Sequence, residues 1–220
     1  SPVFMLSGQV PKNQIGKDIG VLHEVNDQLD CIRPVTKWRR RVLEVAEVPA
    51  AVHAAMHQLT TGRPRPVELE MPPETMEEEG EAVMLDPVHP ARPAAPAADI
   101  RRAVDLLVAA QRPVIYAGQG VHYAKAWPQL RQLAELLECP VTTSLEGKSA
   151  FPENHPLSLG SGGRSLPKAV YQFLQESDVI FGVGCSFTKH GMATTLPAGK
   201  TIIHATNDER DLNKNYPVDY

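Results

Sequence analysis

A buried strand that runs directly into glycine restricts the fold of this chain more than any other feature. It occurs at Pro113 to Val121, P-V-I-Y-A-G-Q-G-V. Val114, Ile115, Tyr116 and Ala117 have strand character, Gly118 and Gly120 follow at once, and a helix is expected from about 123 to 138. Such a corner brings backbone N–H groups to the carboxyl edge of a parallel sheet. The figure repeats: strand-like runs at 114–117, 141–145, 179–183 and 201–204 each end in small or polar residues. Helices are expected between most of them, one over Leu166 to Gln175. Another is expected before the first strand, capped by Asp99, with Ile100, Val104, Leu107 and Val108 as its apolar face. This alternation predicts an α/β, doubly wound parallel sheet over 99–220. Its strand ends could serve a nucleotide-sized ligand, or the glycines could simply make tight turns. The dinucleotide fingerprint is incomplete, because Tyr123 stands where the third glycine belongs.

Residues 1–72 give a shorter pattern. Val3 to Leu6 reads as a buried strand, Val21 to Gln28 as a short helix and Ile32 to Thr36 as a strand whose Pro34 favours an edge. The run Lys37 to Arg41, K-W-R-R-R, reads as a solvated loop anchored by Trp38, with a phosphate site as the alternative. Val48, Val52, Ala55, Met56 and Leu59 have helical spacing, and Gly62 suits the position after the helix. Val67, Leu69 and Met71 alternate with Glu68 and Glu70, predicting a strand with one exposed face or an acidic face that meets a partner. These elements describe half of an α/β domain, a partial second domain that needs a missing half or a partner. A raw strand near Ser1 and the stretch ending at Tyr220 suggest a piece of a longer polypeptide.

Between the two patterns, 73–98 is a linker by composition, with Pro72-Pro73, an acidic run and closely spaced prolines around His89 and Arg92. Both are expected to be surface residues. A net charge of −4 gives no electrostatic reason to expect a nucleic-acid partner. No apolar run approaches the ~20 residues that span a bilayer, and no secretory signal is visible. Cys31, Cys139 and Cys185 lack metal-ligand spacing and are expected to be buried reduced thiols in a cytoplasmic protein.

Several stretches, taken in order, resemble one family. They are G-Q-V at Gly8–Val10, H-E-V at His23–Val25, P-V-T-K at Pro34–Lys37 and T-G-R-P-R-P-V-E-L-E-M-P at Thr61–Pro72. R-P-V-I-Y-A-G-Q-G, C-P-V-T-T-S-L-E-G-K-S-A-F-P, S-D-V-I-F-G-V-G-C-S-F and I-H-A-T-N-D follow. The set resembles thiamine-diphosphate-dependent enzymes of the acetolactate synthase type. The resemblance implies the end of a pyrimidine-binding domain (1–72), an interdomain linker (73–98) and a truncated, Rossmann-like central domain (99–220). It implies a parent enzyme, a homodimer or homotetramer, that uses thiamine diphosphate and Mg²⁺ to decarboxylate a 2-keto acid and ligate or release the product. The family's catalytic glutamate and metal motif would lie outside this chain, leaving the fragment alone inactive.

The resemblance further implies that His23, at a position often held by glutamine, borders the active site and could relay a proton. Pro73 replaces a lysine that some synthases carry there. In flavin-containing members FAD lies across the central strand ends. The matching positions here are Gly118, Gly120, Ser144, Leu145, Gly160, Gly184, Ser186, Thr206 and Asn207. An arginine common at the Ser186 position and a histidine common near Gly162 are absent; other members bind ADP or nothing there. The alternative is a non-catalytic module that binds FAD, ADP or NAD, or serves assembly.

Overall fold

The computed structural model describes residues 1–87, 89–163 and 166–220. They divide into two units, Ser1–Arg92 and Pro93–Tyr220.

In the first unit, β1 (Phe4–Gly8), β2 (Trp38–Arg41) and β3 (Val67–Met71) form a parallel sheet of order β1-β3-β2. Helices α1 (Gln28–Ile32), α2 (Val48–Thr60) and α3 (Pro73–Glu77) complete it. Helix α2 begins with Pro49 in its first turn, where a missing N–H loses no helical bond. It ends where Thr61 N–H bonds His57 C=O and Gly62 takes a φ of +55°. Its Ala51 and Ala55 pack on Val42, Val67, Leu69 and Met71, the core of this unit.

Several expectations fail here for local reasons. Residues 21–27 are turns and irregular chain, with His23 at a left-handed φ of +66°; the helix starts only at Gln28, capped by the Asp27 carboxylate. The predicted 32–36 strand is the end of α1 and a 3-10 turn over Arg33–Val35 containing Pro34. The basic run is a strand, not a loop, since Arg39 and Arg41 stand beside Glu68 and Glu70 in register. β3 has no exposed face: all five residues are buried in the middle of the sheet. β1 is an exposed edge rather than a buried strand, and Cys31 is exposed.

The second unit contains α4 (Ala97–Ala109), β4 (Pro113–Ala117), α5 (Gly120–Ala124), α6 (Trp127–Leu136), β5 (Val141–Thr143), β6 (Ser158–Ser161), α7 (Lys168–Glu176), β7 (Val179–Val183) and β8 (Thr201–Ala205). All pairings are parallel, in the order β6-β5-β4-β7-β8. That is a doubly wound α/β sheet, with its switch point between β4 and β7. β4 shows why the run is continuously apolar: Val114 and Tyr116 enter one core, with Val170, Leu174 and Ile180. Ile115 and Ala117 enter the other, with Leu130, Val141 and Phe151.

The single helix expected over 123–138 is two. Lys125 turns left-handed at φ +53°, and Pro128 sits in the first turn of α6. Ser158–Ser161, in a stretch with no expected element, adds a fifth strand at the edge. Asp99 lies in the first turn of α4 rather than at its cap, which is Pro96, and it accepts a hydrogen bond from Tyr220. Leu107 is the buried residue of α4, backed by Ala103 and Leu106, whereas Ile100, Val104 and Val108 are exposed.

Candidate functional site

The carboxyl edge of the second sheet collects most of the residues singled out above. Gly118 and Gly120 follow β4, Ser144 and Leu145 follow β5, and Gly160 lies in β6. Gly184 and Ser186 follow β7, and Thr206 and Asn207 follow β8. His89 and Arg92, both in the first unit, are exposed. His23 belongs to the other unit and sits exposed on a turn.

At the switch point the glycines close on each other. A Cβ on Gly118 would lie 2.3 Å from the Gly184 carbonyl oxygen, and one on Gly120 would lie 2.6 Å from Gly184 Cα. Gly184 itself has a φ of +61°. Gly118 N–H donates to Val183 C=O at 2.9 Å, Gly120 N–H to Gly184 C=O at 2.8 Å and Gly184 N–H to Ala205 C=O at 2.9 Å. On β5, Ser144 N–H donates to Ala117 C=O at 2.9 Å, while its Oγ accepts from Gly147 N–H at 3.0 Å. Ser186 and Thr188 hydroxyls bond each other at 2.8 Å, and Thr206 Oγ1 accepts from Asp208 N–H at 3.2 Å. A diphosphate is held by N–H groups that point out of a strand–helix corner. Here those of Gly118, Gly120, Ser144 and Gly184 are bonded within the sheet, so these corners do not fit as a diphosphate cradle. Gly160 differs, with no atom within 4 Å of where a Cβ would stand.

Sequence reasoning missed a buried aromatic group beneath β7 and β8. The Phe187 ring lies 4.6 Å from the His204 ring, 5.6 Å from Tyr116 and 6.1 Å from Tyr216, between ring centroids. His204 Nε2 lies 3.0 Å from Cys185 C=O, which assigns the proton to Nε2, and its buried Nδ1 has no partner. Burial lowers the His204 pKa against the opposing effects of the Cys185 carbonyl and Asp211. Burial also pushes the Cys185 thiol and the Tyr116 hydroxyl up to about 12. A thiol held neutral in this way is no nucleophile. The residues H-A-T and F-T-K gave no periodic signal for the cluster.

In the first unit, His23 is followed by Glu24, whose carboxylate accepts from Ile19, Gly20 and Val21 N–H groups at 2.7 to 3.3 Å. Desolvation raises its pKa, but the backbone donors together outweigh it and hold the group below the ordinary carboxylate value. A cleft of about 450 Å³ is lined by Asp27, Leu29, Asp30, Lys37, Trp38, Arg39 and Arg41. Its cations are largely engaged: Lys37 Nζ donates to Gln58 and Thr61 carbonyls, and Arg41 pairs with Glu70. Arg40 of the same run pairs with Glu47 at 2.8 Å. Among the described residues no group of three or more His, Cys, Asp or Glu is placed to hold a metal ion.

Residues 100–220 match the family model described as thiamine pyrophosphate enzyme, central domain. The whole chain is 35% identical to a probable acetolactate synthase large subunit of Methanocaldococcus jannaschii, covering 38% of that protein. It is 33% identical to a glyoxylate carboligase of Escherichia coli O157:H7, over 92% of this chain and 35% of the relative. An acetolactate synthase large subunit of Buchnera aphidicola is 30% identical over 99% of this chain and 39% of its own length. The chain thus spans somewhat over a third of the length of these curated relatives.

Proposed function

The chain belongs to the thiamine pyrophosphate enzyme family, and from that premise we propose that it is part of a 2-keto acid decarboxylase or carboligase of the acetolactate synthase type. The observation that carries this reading is the ordered similarity along the whole chain to acetolactate synthases and a glyoxylate carboligase. In the proposal, 1–72 ends the pyrimidine-binding domain, 73–98 is the linker and 99–220 is the central domain.

Thiamine diphosphate would supply the carbanion chemistry that decarboxylation requires. The segments that hold its diphosphate and Mg²⁺ are proposed to lie outside this chain. This chain would contribute scaffold and one wall of the site. His23 is proposed to face the reacting centre, where an imidazole can hold or give a proton near neutral pH. Its left-handed backbone belongs to a turn that the Glu24 carboxylate holds from Ile19, Gly20 and Val21, which leaves the His23 side chain exposed.

No step is derived through a flavin, since Gly118, Gly120, Ser144 and Gly184 direct their N–H groups into the sheet. Leu145, Gly160, Ser186, Thr206 and Asn207 remain proposed contacts for whatever lies along the sheet edge. A homodimer or homotetramer in the cytoplasm is proposed for the parent enzyme. No helix among the described residues is long and apolar enough to cross a membrane.

The test is an assay of the polypeptide as its gene encodes it, with thiamine diphosphate, Mg²⁺ and either pyruvate or glyoxylate. CO₂ release that depends on thiamine diphosphate is expected. Absence of CO₂ from every 2-keto acid tried, together with a thermal shift by FAD, ADP or NAD, would replace this reading with a nucleotide-binding module.

A further inference from the structure

The stretch from Gly16 to Glu24 contains neither helix nor strand, yet its backbone is unusually constrained. Gly16, Asp18, Gly20 and His23 take left-handed φ values of +72°, +52°, +77° and +66°. Two of the four, Asp18 and His23, carry side chains, and such a backbone persists only where its surroundings fix it. Among the described residues, the one bond between main-chain groups within 18–24 is Glu24 N–H to Val21 C=O at 3.0 Å. The remaining constraint comes from a side chain.

That side chain is Glu24. Three successive N–H groups, of Ile19, Gly20 and Val21, converge on its Oε2 at 3.1, 2.7 and 3.1 Å. Ile19 N–H also reaches Oε1 at 3.3 Å. Successive amides turned to one point make a nest for an anion, and a charged acceptor strengthens each bond. Here the anion belongs to the chain itself. Glu24 is therefore clamped twice, by its main chain to Val21 and by its carboxylate to the three residues 19–21. His23 lies inside this closed loop, and its exposed ring makes no hydrogen bond among the described residues. Where the imidazole points is set by the backbone, and Glu24 closes that backbone.

We propose that Glu24 is the positioning residue for His23: its carboxylate fills the nest of Ile19, Gly20 and Val21 and so fixes the direction of the imidazole. The carboxylate itself transfers no proton. The consequence for activity rests on the proposed role of His23, but the nest has a readout of its own.

The test uses the polypeptide as its gene encodes it, with Glu24→Gln, His23→Gln and the double variant. Glutamine keeps the shape of the side chain and removes its charge. The amides of Gly20 and Val21 are expected to exchange with solvent roughly tenfold faster in Glu24→Gln, while those of Val67–Met71 keep their rates. Unchanged exchange at Gly20 and Val21 would overturn the proposal, whether or not the enzyme is active. A rise shared equally by Val67–Met71 would make Glu24 a residue of general stability and also overturn it. In the CO₂ assay, Glu24→Gln should lower kcat roughly tenfold, with KM for the 2-keto acid changing less. The double variant should fall no further than His23→Gln, because the two residues act as one unit. A further fall in the double variant would separate Glu24 from His23 and overturn positioning. Absence of CO₂ release from the parent protein would overturn the catalytic reading instead. The ring proton signals of His23 then decide: a shift in Glu24→Gln supports positioning, and unchanged signals overturn it.

Discussion

β3 and β4 hold the same place in their respective sheets, yet their sequences have almost nothing in common. Both are interior parallel strands, hydrogen-bonded on both sides and buried along nearly their whole length. β4 reads P-V-I-Y-A and enters an apolar core on each face. β3 reads V-E-L-E-M, with an apolar core under α2 on one face and a closed polar layer on the other. In that layer Ser7 Oγ donates to Glu68 at 2.7 Å, Gln9 Nε2 donates to Glu70 at 3.0 Å and Arg41 pairs with Glu70. Alternation along a strand therefore reports two different environments, and it does not report that one of them is water.

The interior of the second unit should be the less tolerant of the two, because backbone meets backbone at its switch point. Gly118→Val puts a side chain 2.3 Å from the Gly184 carbonyl, which no rotamer relieves. We expect a loss of about 3 kcal/mol, read as a fall in Tm of roughly 10 °C. Gly191→Ala is the control, with no atom within 4 Å and no left-handed φ, and should stay within about 0.5 kcal/mol. Equal behaviour of the two variants in thermal unfolding would mean that the glycine interlock is not rigid.

The polar layer predicts a smaller and asymmetric response. Glu70→Leu leaves Arg41 and Gln9 without their acceptor, and we expect a loss of about 2 kcal/mol in denaturant unfolding. Glu68→Leu removes a carboxylate that accepts from the Ser7 hydroxyl and whose Oε2, like that of Glu70, is buried without a partner among the described residues. Its loss should be under about 1 kcal/mol, since the substitution leaves only the neutral Ser7 hydroxyl without its acceptor, and no buried cation. Equal losses would show that both carboxylates are paired in solution. The comparison with β4 would then rest on shape rather than charge.

The second unit carries one further polar group inside its apolar core, His204, and its effect depends on pH. Its folded pKa is depressed, so the unfolded chain binds the proton more readily. The stabilisation is fully present above the unfolded value of about 6.5 and is lost as pH falls below it. A His204→Phe variant should lose that part of the acid sensitivity, measured as Tm between pH 7 and 5. The carboxylate of Glu24 acts in the same direction at lower pH, because its folded pKa is also depressed.

The same contrast explains what was legible in the sequence. Strand-like runs that end in small or polar residues gave four of the five strands of the second sheet and its carboxyl edge. Neighbours within that edge were not legible, because strand order depends on crossovers and not on composition. Ser158–Ser161 escaped notice: four residues with a glycine at φ +87° carry no alternation to detect. The break between α5 and α6 turns on the backbone of Lys125, a residue that normally continues a helix. In the first unit charge misled twice, at Trp38–Arg41 and at Glu68 and Glu70. Each set reads as solvated alone, and only their register against each other makes one polar layer, buried at Glu68 and Glu70 and half-buried along β2. Of the site, the strand-end positions were readable, but not that their N–H groups are bonded inside the sheet.

His23 makes the smallest demand on the fold and the largest on the proposed chemistry, so its two readouts should separate. It is exposed, holds a left-handed φ of +66° and lies in a turn fixed by the neighbouring Glu24 carboxylate rather than by its own side chain. His23→Gly relieves the backbone and should leave Tm unchanged or slightly raised. If the imidazole exchanges a proton with the reacting centre, His23→Gln in the encoded polypeptide should lower kcat roughly tenfold to a hundredfold. It should also remove an inflection near neutral pH from the kcat profile, while KM for the 2-keto acid changes less. A profile that keeps its inflection in His23→Gln would reduce His23 to a turn residue, and the proton would have to come from elsewhere in the enzyme.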